Sequence, residues 1–162
     1  MRVLGVDPGL RLTGGGFVDV VGIGREPVLV EAGVVRLESK RSVADRLLEL
    51  DTALGALIEE HKPAVLAVEK VYSHYKHPQT AVVMGHARGV ILLAARRRGI
   101  ETVDVPSTEV KKALTGYGHA SKAQIQRAVA AQFGLAEPPS PPDVADALAI
   151  ALTHGRRVDM AD

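Results

Sequence analysis

Four acidic residues stand where an acid is costly. Asp7 closes the apolar run Val3, Leu4 and Val6, and Pro8 and Gly9 turn the chain directly after it. Glu69 closes a second apolar run, residues 64–68, in the same way. Asp143 and Asp146 belong to the stretch 143–152, which is so apolar on every side that a helix there must be largely buried. Three residues apart, they share one helical face and approach a common point. Cap geometry alone accounts for Asp143, which falls where a capping-box acid belongs after Ser140. It does not account for Asp146, and no Lys or Arg near it within that helix is available to neutralise it.

Apolar strands of this kind lie in the middle of a sheet, where an ionised carboxylate needs a cation or a dense set of donors. If the four acids converge, each pair about 5 Å apart repels by roughly 3 kcal/mol at an effective dielectric near 20. A divalent cation removes that conflict. With oxygen ligands and no cysteine in the chain, Mg²⁺ is the expected metal and Mn²⁺ a substitute. Such a site suits phosphoryl transfer, one ion lowering the pKa of an attacking water and a second stabilising the leaving oxygen.

The elements that must position these acids follow from periodicity. Residues 1–9 read as a buried strand and turn, and residues 13–20 and 27–37 extend it into a three-stranded meander. Ser42 caps a helix whose stripe is Val43, Leu47, Leu50, Leu54 and Leu57, ended by Pro63. A strand at 64–68 follows this helix, and the crossover lets it lie parallel to and beside the first. Residues 80–98 form a long helix with Ala81, Gly85 and Gly89 at intervals of four, a face made either for close packing on the sheet or for a second copy of the chain. A fifth strand spans 101–105, stopped by Pro106, and Ser107 or Thr108 caps a short helix carrying Lys111 and Lys112. Ser121 and Gln124 form a capping box, and the last helix begins at Ser140 or just after, with Pro141 at its first position.

Lys122 lies in the first turn of its helix, where its charge opposes the macrodipole by a few tenths of a kcal/mol. Together with the unpaired amides of that terminus it makes a candidate phosphate site. The basic clusters 96–98, 111–112 and 156–157 read individually as solvated helix ends, and His74 and His77 as exposed loop histidines. Aromatics are few, so Tyr72, Tyr75 and Tyr117, in polar loop-like surroundings, attract notice.

At 162 residues the chain is expected to form one domain, residues 1–162. Its formal charge of +1 leaves any polyanion to be held by a local patch rather than by the global field. Absent cysteine excludes a disulfide framework and thiolate chemistry. With no signal-like start and no apolar run long enough to span a bilayer, a cytoplasmic protein without membrane association is expected.

The blocks VLGVDPGLRLTG, AVEKVY, GHARGVILLAA, VKKALTGYGHASK and PPDVADALAIALTH, at these separations, resemble the RuvC family of Holliday-junction resolvases over nearly the whole chain. The resemblance implies a ribonuclease-H-like α/β fold, a mixed five-stranded sheet flanked by helices. It implies a homodimer that makes symmetric paired nicks in four-way DNA during recombination and repair, and association with the branch-migration motor RuvA and RuvB. By position, Asp7, Glu69, Asp143 and Asp146 match the family's metal site, Lys111 and Lys122 its basic residues near the scissile phosphate and DNA backbone, and Tyr72 an aromatic that contacts bases near the crossover. Members can carry His at the position of Asp143, and residues 72–79 are the least typical stretch. Two-fold substrate symmetry independently favours a C2 dimer. A nucleotide phosphotransferase of the actin and sugar-kinase type, a ribonuclease-H-like nuclease acting on RNA and a non-catalytic junction binder are the competing readings; the first lacks a second phosphate loop in a chain this short.

Overall fold

The computed structural model describes residues 1–70 and 77–159. Strands β1 (Arg2–Asp7), β2 (Leu12–Asp19) and β3 (Val28–Arg36) form the meander, followed by α1 (Val43–His61), β4 (Val65–Glu69), α2 (Pro78–Arg97), β5 (Glu101–Val105), α3 (Ser107–Thr115), α4 (Lys122–Gln132) and α5 (Pro142–Asp159). The sheet order is β3-β2-β1-β4-β5. β1 pairs antiparallel with β2 and parallel with β4, and β5 extends the parallel half. This is the mixed five-stranded sheet expected from the sequence, with β1 at its centre.

Alternation along β1 and β4 divides the core in two. Leu4, Val6, Leu66 and Val68 point to one face, against Leu50, Leu54 and Ile58 of α1 and Ile91 of α2. Val3 and Ala67 point to the other, against Val144, Leu148 and Ala151 of α5 and Val129 of α4. Helix α5 is buried along residues 144–145 and 147–155, which explains why its sequence is apolar all round.

The helix caps agree with expectation in two places and differ in two. The Ser42 side chain accepts the Asp45 N–H, and Ser121 and Gln124 make both bonds of a capping box. Neither Ser107 nor Thr108 caps α3. The Pro106 carbonyl takes the N–H groups of Glu109 and Val110, so Ser107 is already inside the helix. Nor does Ser140 cap α5. The Pro141 carbonyl accepts the Val144 N–H at 3.0 Å, which places Pro142 at the first helical position, where a missing N–H is harmless. Helix α2 starts at Pro78, two residues before the expected start.

Gly85 and Gly89 are exposed, and among the described residues a Cβ on either would meet nothing within 4 Å beyond its own helix. Close packing on the sheet, one of the two roles considered for this face, is therefore not what these glycines do. Among the described residues no helix is long and apolar enough to cross a membrane.

Candidate active site

The register that builds the sheet also builds the site. Val6 of β1 pairs with Val68 of β4, and one residue further on, at the carboxyl ends of two adjacent parallel strands, stand Asp7 and Glu69. Counting by two from Val3 and from Ala67, both side chains point to the face that carries α5. The turn after Asp7 is fixed by a residue that strand periodicity does not single out. Thr13, 2 % exposed, accepts the Gly9 N–H at 3.2 Å and donates to the Gly9 carbonyl at 2.7 Å. A Thr four residues beyond the turn glycine is the pattern that marks it.

Helix α5 comes unusually close to the sheet because β1 and β2 carry glycine beneath it. A Cβ on Gly5 would overlap the Ala147 carbonyl and come within 2.7 Å of the Ala151 nitrogen. One on Gly16 would reach 2.6 Å from Leu148 Cδ2, and one on Gly14 would overlap the backbone of Asp143. Gly14 is the register partner of Asp7, so Asp143 lies over the end of β1 that carries the first acid. One turn of helix then sets Asp146 beside it.

These side chains share solvent space. Asp7, Glu69, Lys111, Ser121, Lys122 and Asp146 line a groove of about 460 Å³. A broader groove of about 880 Å³ is lined by all four carboxylates and Lys122. Burial pushes the Asp7 carboxyl up to about 7, and the charges of Asp146, Asp143 and Glu69 add to that shift while Lys122 opposes it. Glu69 is exposed by residue area, yet lost hydration of its carboxyl raises its pKa, with Asp146 adding and Lys111 and Lys122 opposing. The hydrogen bond to Asp146 raises the pKa of Lys122.

One expectation is corrected. Asp146 is not left without a counter-charge: Lys122, from α4, places its Nζ 2.9 Å from Asp146 Oδ2. The neutralising group comes from another helix, which a search within α5 does not reach. Lys122, though largely exposed, is therefore ion-paired rather than a wholly uncommitted phosphate ligand. Among the described residues no three His, Asp or Glu side chains lie close enough to enclose a metal ion as they stand. Tyr72 lies outside the described residues, as do His74 and Tyr75. Tyr117 is exposed and meets His119 edge-on.

A mixed sheet of this order, with acids at the ends of β1 and β4 and on a closing helix, is the frame of ribonuclease-H-like resolvases. Residues 3–154 match the family model "Crossover junction endodeoxyribonuclease RuvC". The crossover junction endodeoxyribonuclease RuvC of Rhodopirellula baltica is 43% identical over 150 residues, covering 93% of this chain and 83% of that one. Thermus thermophilus RuvC, solved in complex with Holliday junction substrate, superposes with a TM-score of 0.91 at 33% identity, covering 99% of this chain and 96% of that one. The yeast mitochondrial Holliday junction resolvase Ydc2 shares the fold at a TM-score of 0.72 and 12% identity, covering 98% and 80% of the two chains. The chain belongs to the RuvC family and is an enzyme, a crossover junction endodeoxyribonuclease.

Proposed function

We propose that Asp7, Glu69, Asp143 and Asp146 hold two Mg²⁺ ions, replaceable by Mn²⁺, at which this chain hydrolyses one phosphodiester of a four-way DNA junction. The observation that carries this reading is the opening of four carboxylates, borne on β1, β4 and α5, onto one groove. The donor set fits a hard divalent cation: every candidate ligand is a carboxylate oxygen. Burial is the main cause of the upward shift of Asp7, and the charges of Asp146, Asp143 and Glu69 add to it, so a cation bound there would relieve both. Bound there, the ions supply Lewis acidity to the attacking water and to the leaving oxygen.

The chain's own groups do the rest. Asp7 and Glu69 sit on strand ends fixed by the sheet ladder, so the reacting phosphate is oriented by a frame that does not have to reorganise. Lys122 is held against Asp146 with its side chain 64% exposed, within the same groove, so its ammonium would be positioned to meet a phosphate oxygen there. Lys111 lines the same wall and steadies the growing negative charge. Tyr72, by family resemblance, meets bases at the crossover.

Two sites are needed for paired cuts, and a C2 homodimer provides them. The open face of α2, with Gly85, Gly89, Val82 at 58% and Leu93 at 48% exposure, is the surface that fits a second copy. By family resemblance, the dimer is expected to work alongside the branch-migration motor RuvA and RuvB.

The test is incubation with a mobile four-way junction and Mg²⁺, mapping nicks on all four strands. Symmetric, ligatable nicks are expected. Asp146→Asn retains junction binding and reduces cutting to background, and normal cleavage by that variant refutes the site. Lys122→Ala slows cutting by about a hundredfold to a thousandfold, in line with losing one electrostatic stabiliser. An unchanged rate removes it from the chemistry.

A further inference from the structure

The carboxylates lie where two grooves meet, and only one of those grooves contains the lysines already assigned beyond Lys122. The first runs toward β5 and α3, past Lys111, Ser107 and Ser121. The second runs the other way along the sheet edge, past the turn after β1 to Arg11, Arg36 and Ser39. In the sheet order β3-β2-β1-β4-β5, Arg11 and Arg36 belong to the β2–β3 side of Asp7, and Lys111 follows β5 on the far side of Glu69.

We propose that Arg11 and Arg36 bind phosphates of the cut DNA strand on the flank of the carboxylates opposite Lys111, so that the strand is gripped on both sides of the scissile bond. This rests on the nuclease reading above and adds residues and a direction to it.

Three observations support it. Both arginines are exposed, and among the described residues neither guanidinium has a hydrogen-bond or ion-pair partner. The guanidiniums of Arg2, Arg88, Arg98 and Arg156 are each paired with a carboxylate, whereas Arg25, Arg96 and Arg127, which have no side-chain partner among the described residues, do not line this groove. Both also stand on fixed backbone. The Arg11 carbonyl accepts the Leu37 N–H at 2.9 Å, Arg46 Nη1 donates to the Leu10 carbonyl at 3.1 Å, and Arg36 is the register partner of Leu12. The two side chains therefore leave the same end of the sheet, into the groove that the acids floor. Finally, charge complementarity selects the occupant. A groove with cation-demanding acids at its centre and unpaired guanidiniums at its end suits a chain of phosphates, which guanidinium forks recognise bidentately. Recognition of this kind positions the strand and carries no base information.

The test is phosphate-ethylation interference on a four-way junction, with Ca²⁺ replacing Mg²⁺ to neutralise the carboxylates, together with the salt dependence of binding. In the natural sequence, ethylation on both flanks of the cut position is expected to interfere. In the double variant Arg11→Gln/Arg36→Gln, interference on one flank disappears and the flank read by Lys111 persists. The slope of log K against log salt flattens by about 0.9 for each duplex phosphate that is no longer neutralised. Arg11→Lys/Arg36→Lys restores most of that slope. Arg25→Gln, in the turn between β2 and β3 at the opposite end of the sheet, changes neither reading. A double Gln variant with an unaltered ethylation pattern and slope overturns the proposal. Failure of the natural sequence to nick junctions with Mg²⁺ refutes the nuclease reading instead and leaves the ethylation result readable by itself.

Discussion

On the β1–β2 side of the carboxylates, α5 lies directly on the backbone of the sheet, with Gly5 and Gly14 each occupying a place no side chain fits and Gly16 lying under the Leu148 side chain. On the β4 side, Glu69 ends its strand exposed, and α2 follows with no side-chain cap at His77 and an open face at Gly85 and Gly89. One half of the site is set by contact between two backbones, which cannot adjust without moving whole elements. The other half is tied mainly by the ladder of β4 and by the Lys70 N–H bond to the Val105 carbonyl. The difference divides the labour: three acids are fixed relative to one another, and the fourth stands beside the side of the molecule that the junction centre and a second copy are proposed to meet.

The largest effect should come from breaking the fixed half. Gly5→Ala drives a methyl into the Ala147 carbonyl and against Ala151, and α5 must lift off β1. A loss of about 4 kcal/mol is expected, at the severe end for a single substitution because the opposing atoms are backbone. Thermal unfolding measures it. A melting temperature within a degree or two of the natural sequence would mean that α5 is not seated as described.

A smaller effect, dependent on pH, tests whether the fixed acids need a cation. The Asp7 carboxyl is raised in the fold from 3.8 to about 7, so the stability it contributes is complete below about pH 4 and is lost as pH rises through about 7. Glu69 is raised as well and acts in the same direction. Without divalent metal the protein should lose about 2–3 kcal/mol across that window, less than the roughly 4 kcal/mol that the whole rise from 3.8 to about 7 would give, because the carboxyl opens onto a solvent groove that screens it. Asp7→Asn should flatten the profile. Mg²⁺ should raise the melting temperature at pH 8 and change it little at pH 5, where protons compete for the same oxygens. Equal stabilisation at both pH values would detach the metal from these acids.

The two halves were not equally legible in the sequence. Alternation and strand-end position located Asp7 and Glu69, and the apolar surroundings of Asp146 marked it, because burying an acid is costly enough to leave a trace in composition. The glycines that let α5 approach left a weaker trace, since Gly5, Gly14 and Gly16 read singly as turn or strand glycines and acquire meaning only when a helix 130 residues later is laid across them. The Lys122–Asp146 pair was invisible for the same reason: it joins α4 to α5 through space, whereas periodicity reports only neighbours along one element. Arg11 and Arg36 carry no local signal, being exposed arginines at strand ends; their significance is that the register sets them in one groove.

The smallest effect probes the open half and has a sign that depends on what covers it. On an uncovered helix surface, Gly85→Ala and Gly89→Ala each remove a flexible residue from a helix interior and should stabilise the isolated chain by about 0.5–1 kcal/mol. Among the described residues, nothing beyond the helix's own neighbouring residues lies within 4 Å of the new methyl groups. If a second copy packs across α2 at the distance that glycine permits, the same methyl groups intrude on the partner, and the dimer should dissociate at higher concentration. The expected outcome is thus a split: at dilutions where the chain is monomeric the variants melt higher, and in sedimentation they self-associate more weakly. Higher melting with unaltered association would leave α2 a solvent face and move the dimer axis elsewhere, without touching the carboxylates. Because Asp146→Asn is expected to act on the proposed chemistry and Gly89→Ala on the proposed assembly, the pair also separates single nicks from paired ones: a glycine variant that still cuts, but leaves junctions nicked in only one strand, would support coupling of two sites through the open half.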